Sequence, residues 1–402
     1  MSIQRTLHAR IIYKILTKLK FIRLYDICLL LFQFLLRKIT IFNLGYKSKQ
    51  KVFFNYYNHY THPDILKRYY GRRAPLYWST LQSSKVVHTI QSSTAEFLGK
   101  KVIIEPNDHC LVIGASLGIY KPNELVLRCN DISDYISSSA VSRVLVGQND
   151  LINHARYYFS DTALKKFFIY PESACMPAVT DSFLNKKKDR LLLDNKIKFL
   201  SIASDFRYKA VELLLEAFVE SHSLSELTLV CHNIPDDLRK KILTVKNIHL
   251  IEDLPLSNKK KDLLYKYSDV YVNTTYVDGG GTVFKALEYG LPIITFTYHR
   301  GKGFVQNGNG ILLSEPMKYY DPESYGIHWN SMEGYLEKVY LFKAKGGYDD
   351  VKQQLINAFK HYEQDPLNVF DEGIKSLELA KRDSLERSNQ ILRDLYKEVA
   401  EE

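Results

Sequence analysis

The stretch from Ser268 to Pro292, SDVYVNTTYVDGGGTVFKALEYGLP, is compatible with very few folds. Val270-Tyr-Val-Asn273 is a short apolar run of the kind that forms a strand buried on both faces of a parallel sheet. A glycine-dense turn follows, Asp278-Gly279-Gly280-Gly281, and then Thr282 and a helical run carrying Val283, Phe284, Ala286 and Leu287. Gly290-Leu291-Pro292 stops that helix, and Ile293-Ile294-Thr295-Phe296 starts another strand. The order is strand, tight turn, helix, strand.

Such a unit is an anion site in waiting. The first turn of a helix leaves backbone NH groups unpaired and carries partial positive charge. Gly280 and Gly281 let a diphosphate approach the backbone with no Cβ in its way, and Thr282 is expected as an N-cap or a phosphate ligand. A run of three glycines alone equally marks a flexible loop; the flanking strand and helix favour the anion site.

Here the chain resembles the retaining GT-B glycosyltransferases, which use nucleotide-sugar donors and carry a Glu, seven residues, then a second Glu. Asp278-Gly-Gly-Gly-Thr-Val-Phe-Lys-Ala-Leu-Glu-Tyr-Gly-Leu-Pro follows the outline of that motif. Aligned on Gly290-Leu291-Pro292, Asp278 approximates the first carboxylate and Lys285 stands where the second belongs. A cation cannot accept hydrogen bonds from a ribose diol, so the resemblance passes that role to Glu288, about one turn further along.

A second segment carries the same resemblance. Ile197–Ala203 reads as a strand, followed by Ser204-Asp205-Phe206-Arg207-Tyr208-Lys209 and the helical ELLLEAF. In the family, an Arg and a Lys at this point clamp the donor diphosphate; Lys209 sits at the Lys position, and Arg207 would have to reach in. Paired cations suit a leaving nucleoside diphosphate, which gains negative charge as the glycosidic bond breaks. The plainer reading of both is a solvated helix entry.

Before residue 185 the signal is a series of short apolar runs ending in polar residues: Val86-Val87 before His88, Val102–Ile104 before Glu105, Leu111–Ile113 before Gly114, then Val144–Val146 and Phe168–Tyr170. An open α/β sheet places its ligand groups at such strand ends. The resemblance implies a polar residue facing the transferred sugar, which makes His109 and Glu105 the catalytic candidates there, with Asp278 from the glycine turn. His109 as an ordinary turn histidine is the alternative. Residues 51–80 are rich in Tyr, His and Arg without a clear period.

The expected architecture is two Rossmann-like α/β domains facing across a cleft (GT-B). A basic, apolar N-terminal extension covers 1–50, an acceptor domain 51–185, a donor domain 196–370, and a closing helix 371–402 that returns toward the first domain. Lys186-Lys187-Lys188-Asp189-Arg190 reads as the interdomain linker, and Ser376–Glu401 as a single helix.

The net charge of +10 is concentrated at one end. Residues 1–50 hold ten Lys or Arg against Asp26 alone, around the apolar run Ile27–Leu36. That run is shorter than the roughly 20 apolar residues a spanning helix needs. Its expected roles are an in-plane helix on an anionic membrane surface or a helix packed on protein. Nucleic acid is not an expected partner, because no basic-aromatic module is present. Cys28, Cys110, Cys129, Cys175 and Cys231 are odd in number with no CxxC pair, which fits a reducing compartment. Asn273-Thr274-Thr275 matches a glycosylation sequon but lies beside the glycine turn and is discounted.

Taken together, the expectation is a cytoplasmic enzyme, peripheral on the inner face of the membrane. It would move a sugar from a nucleotide-diphosphate donor to a glycan or lipid-linked acceptor in cell-surface polysaccharide synthesis, without metal or other cofactor. An epimerase or hydrolase on the same fold, or a decayed transferase kept for binding, are the rivals; Lys285 supports the last.

Overall fold

A computed structural model describes residues 52–56, 60–64, 67–70, 86–90, 101–105, 133–134, 136–147, 152, 155–156, 159–170, 175–194, 196–203, 206, 209–252, 255–275, 280–297, 301–314 and 332–402. The N-terminal extension, His109, Arg207 and Asp278 lie outside them. The chain divides into two units, one of residues 1–172 with 388–402, the other of residues 173–387.

The first unit is built on a five-stranded parallel sheet in the order β1-β4-β5-β6-β7: β1 Val52–Tyr56, β4 Val86–Ile90, β5 Lys101–Glu105, β6 Val141–Val146 and β7 Phe167–Ile169. An antiparallel pair, β2 Tyr60–Asp64 and β3 Lys67–Tyr70, stands where the sequence shows no period. His88 is internal to β4, opposite Phe54 and Ile103, and does not end the strand. Before β7 comes the short helix α1, Asp161–Leu164, capped by the Ser160 side chain.

Leu392, Leu395, Tyr396 and Val399 of the last helix pack on Val86, Ile103, Leu145 and Tyr170. Their i, i+3, i+4, i+7 spacing is the apolar stripe of an amphipathic helix. Burying each contributes roughly 2 kcal/mol, enough to hold the chain's end on this sheet. Arg143 of β6 pairs with Glu398 and, at 2.8 Å, with Glu402.

The second unit has a six-stranded parallel sheet in the order β10-β9-β8-β11-β12-β13. The strands are β8 Lys198–Ile202, β9 Glu226–Val230, β10 Ile248–Ile251, β11 Val270–Asn273, β12 Ile293–Phe296 and β13 Gly310–Leu313. Its helices are α2 Asp181–Asp194, α3 Val211–Glu220, α4 Asp236–Thr244, α5 Asn258–Tyr267, α6 Gly280–Glu288, α7 Gly301–Phe304, α8 Met332–Ala344, α9 Tyr348–Gln364 and α10 Leu367–Arg382.

Alternate residues of its strands point to two cores. Phe199, Val270, Val272 and Ile294 join Phe218 of α3 and Phe359 of α9, while Leu200, Tyr271 and Ile293 join Tyr265 of α5 and Val283 and Leu287 of α6. Burial on both faces is why these strands read as unbroken apolar runs.

Two expectations are corrected. Residues 186–190 are not a linker: they lie inside α2, where Lys187 is buried and donates to the Ser268 carbonyl at 2.6 Å. Arg190 pairs with the fully buried Asp269, whose other oxygen accepts from Lys198 N at 2.9 Å. Periodicity missed this helix because its inward groups include two cations. The single helix expected over 376–401 is two, α10 and α11 (Leu385–Glu401), broken at Asp383, whose carboxylate is held by Arg382 at 2.9 Å. The break precedes the point where the chain passes back to the first unit.

Candidate functional site

In the second sheet the strand order reverses between β8 and β11. Connections from β8 lead to β9 and β10 on one side, and those from β11 lead to β12 and β13 on the other. The two loops leaving the carboxyl ends of such a pair part in opposite directions, which opens a crevice where open α/β sheets bind ligands. Here those loops follow Ile202 and Asn273.

One residue joins them. Lys209, half-buried ahead of α3, donates from Nζ to Thr275 Oγ1 at 2.9 Å, and its carbonyl accepts from Thr274 Oγ1 at 2.9 Å. The next residue, Ala210, is held in the left-handed region at φ 44° and ψ 37° and gives α3 no side-chain cap. An alanine there costs on the order of 1 kcal/mol, a strain that collects at functional sites. Ala210 therefore leaves the first-turn NH groups of α3 without a cap from its own side chain.

Helix α6 begins on the other side of the crevice at Gly280. A Cβ added at Gly281 would meet no atom within 4 Å, so packing inside the protein does not require glycine there. Close approach from outside is what a glycine at a helix start serves. Thr282 is in the first turn and is not the N-cap; its carbonyl accepts from the Tyr265 hydroxyl at 3.1 Å. Below the loop, the Asn273 amide is buried and donates to Thr295 Oγ1 at 3.2 Å, so the sequon offers no accessible amide.

The carboxylate expected to bind ribose is otherwise engaged. Glu288 is buried: Oε1 accepts from Met176 N at 2.9 Å, Oε2 pairs with Lys285 at 2.9 Å, and its carbonyl accepts from Ala178 N at 2.8 Å. It fastens the 175–180 segment to α6, and a ribose diol would have to compete with Met176 N and Lys285 for its oxygens. Lys285 also pairs with Asp262 of α5 at 3.2 Å and lies over the Tyr289 ring. Burial opposes its charge, but Glu288 and Asp262 together hold the ammonium above its ordinary pKa.

Of the remaining candidates, Glu105 ends β5 in the first unit, and His109, Arg207 and Asp278 fall outside the described residues. Thr274, Thr275 and the strained Ala210 are additions to the site. The two threonines directly after an apolar strand were a readable signal; the left-handed alanine was not. Among the described residues no group of three His, Cys, Asp or Glu converges as a metal centre would.

No family model and no curated protein matches the sequence. Solved structures do match, and they share the GT-B fold of two Rossmann-like domains. HepE from Anabaena in complex with UDP aligns at 13% identity and a TM-score of 0.53 over 80% of each chain. Its complex with UDP and glucose gives 12% and 0.52 over the same shares. A UDP-forming alpha,alpha-trehalose-phosphate synthase from Burkholderia vietnamiensis aligns at 9% and 0.50, over 78% of this chain and 74% of that one. The fold of this chain is therefore of the GT-B type.

Proposed function

We propose that the protein is a retaining glycosyltransferase that moves a sugar from a nucleoside-diphosphate donor to a glycan or lipid-linked acceptor in cell-surface polysaccharide synthesis. The observation that carries this reading is Lys209 Nζ, bridged to Thr275 at 2.9 Å across the topological switch point and beside the glycine-opened start of α6. As the bond from the sugar to the diphosphate breaks, charge grows on the leaving phosphate oxygens. A fixed ammonium and the first-turn NH groups of α6 stabilise that charge more than they stabilise the bound donor, which lowers the barrier. Arg207 supplies a second cation, Gly280 and Gly281 admit the phosphates, and Asp278, Glu105 and His109 serve the transferred sugar.

In this reading side chains and helix ends neutralise the leaving group without metal. The likeness to Anabaena HepE, whose structures hold UDP and UDP-glucose, makes uridine the first base to test. Residues 1–50 hold the enzyme on the inner face of an anionic membrane; among the described residues no helix is long and apolar enough to cross one.

Thermal-shift measurements with a panel of nucleoside diphosphates and their glucose conjugates test the proposal. One nucleotide and its sugar should raise the melting temperature, and Lys209→Ala should abolish the rise. No response to any of them would favour the decayed transferase, whose support is Lys285 closed into its pairs with Asp262 and Glu288. Donor turnover with no acceptor present would favour the epimerase or hydrolase.

A further inference from the structure

A cavity of about 520 Å³ opens between helix α5, the start of α2 and Tyr289 just past the end of α6. Its volume suits a small organic ligand. Lys259, Asp262 and Lys266 follow one another along a single stripe of α5, at i, i+3 and i+7, and this stripe faces the cavity while Tyr265 faces the core. Thr180 and Phe183 line the opposite wall.

The charges of the lining are unevenly satisfied. Asp262 is engaged by Lys285 at 3.2 Å. Burial and a hydrogen bond to Asp262 hold the Tyr289 phenol protonated above its usual range. Among the described residues neither Lys259 nor Lys266 has a carboxylate partner, and Lys266 lies 5.9 Å from the Phe183 ring centre. The cavity therefore presents two exposed ammonium groups, a hydroxyl from Thr180 and an aromatic wall.

We propose that this cavity binds a sugar phosphate, with Lys259 and Lys266 on the phosphate and Phe183 and Thr180 against the sugar. The phosphate ester can be free or can belong to a lipid headgroup; the recognising chemistry is the same. The anionic oxygens of a phosphate, monoester or diester, can be shared between two lysines on one helical face, and a neutral sugar would leave both ammonium groups without a counter-charge. The proposal is independent of the donor reading, because none of these residues belongs to the crevice at Lys209.

Calorimetric titration of glucose 1-phosphate into the full chain carrying Lys209→Ala keeps the donor site out of the measurement. Binding is expected there, with no binding of glucose. Adding Lys259→Ala and Lys266→Ala should weaken it about tenfold or more, whereas Lys240→Ala with Lys241→Ala on the exposed side of α4 should leave it unchanged. Sedimentation with phosphatidylinositol vesicles, against phosphatidylcholine vesicles, identifies the source: residues 1–50 are common to both proteins, so a weaker vesicle affinity in the Lys259/Lys266 double variant than in its parent assigns the phosphate to a lipid headgroup. The proposal is overturned when neither glucose 1-phosphate binding nor vesicle binding depends on these two lysines. Both are exposed, and an unchanged melting temperature separates lost binding from lost folding.

Discussion

The two ends of the strand pair β8 and β11 handle charge in opposite ways. At the amino end Asp269 is fully buried, and Lys187, Arg190 and the Lys198 NH converge on it. At the carboxyl end Lys209 is only half-buried, held by threonine hydroxyls between diverging loops and next to a strained alanine. The first arrangement satisfies its charges internally and closes the sheet against α2. The second holds a half-buried cation at the switch point, where the proposed donor phosphate would lie. If the proposed donor site is correct, stability and binding are separated within one pair of strands by about the length of a strand.

That separation is broken most directly at Lys209. Lys209→Ala should lower sugar transfer by roughly 10²–10³-fold, the usual effect of removing one donor to a developing oxyanion. The unliganded protein should lose only about 1 kcal/mol, since the hydrogen bond from Lys209 to Thr275 is half-buried. Glu105→Gln sharpens the contrast: it should reduce transfer while leaving the affinity for the nucleoside diphosphate as it was. Steady-state rates and nucleotide titrations on the same preparations check both. A Lys209→Ala protein that unfolds instead of losing turnover would erase the distinction between the two ends.

The amino end should respond to pH. Burial, reinforced by Arg190 and opposed by Asp269, lowers the Lys187 ammonium from 10.5 to about 8. Between those values the unfolded chain holds the proton more tightly, so the unfolding free energy rises with pH through that window. The cost of the buried charge is present in full below about pH 8 and relieved toward 10.5. The shift corresponds to about 3 kcal/mol, as an order of magnitude. Urea titrations from pH 7 to 10 should show this rise, Lys187→Met should flatten it, and nucleotide affinity at neutral pH should be the same in both proteins.

Much of the carboxyl end was legible in the sequence, and little of the amino end was. Val270–Asn273 and Ile293–Phe296 fall where their apolar runs place them, and the glycine turn with Lys209 marks the loops at the switch point. These signals are local: strand, turn and helix start each announce themselves within a few residues. The ion cluster is not local, since Lys187 and Asp269 are 82 positions apart in the chain and a run of lysines reads as solvated surface until a buried carboxylate is known to face it. The engagement of Glu288 is hidden for the same reason: its partner Met176 is on a distant segment, and no pattern near Glu288 reveals it. In the first unit β2 and β3 were missed because their Tyr- and His-rich sequence lacks a period-two pattern.

The glycines at the two ends of α6 carry the comparison to its smallest effects. Gly290 closes the helix at φ 62°, and a Cβ there would meet Leu377 Cγ at 3.0 Å and the Gly373 carbonyl at 3.2 Å. Gly290→Ala should therefore destabilise by about 2 kcal/mol, combining left-handed strain with crowding against α10. Gly281 opens the same helix with nothing within 4 Å of an added Cβ. Gly281→Ala should leave stability unchanged or raise it by about 0.5 kcal/mol, because alanine is the better helix former and restricts the unfolded chain. It should nonetheless weaken nucleotide binding, since the new methyl group stands where the phosphates approach the backbone. Urea midpoints and nucleotide titrations on the two variants separate these outcomes. A Gly281→Ala protein that binds nucleotide as tightly as its parent would mean that the phosphates do not approach α6 over Gly281, and would leave Lys209 as the main determinant of the site.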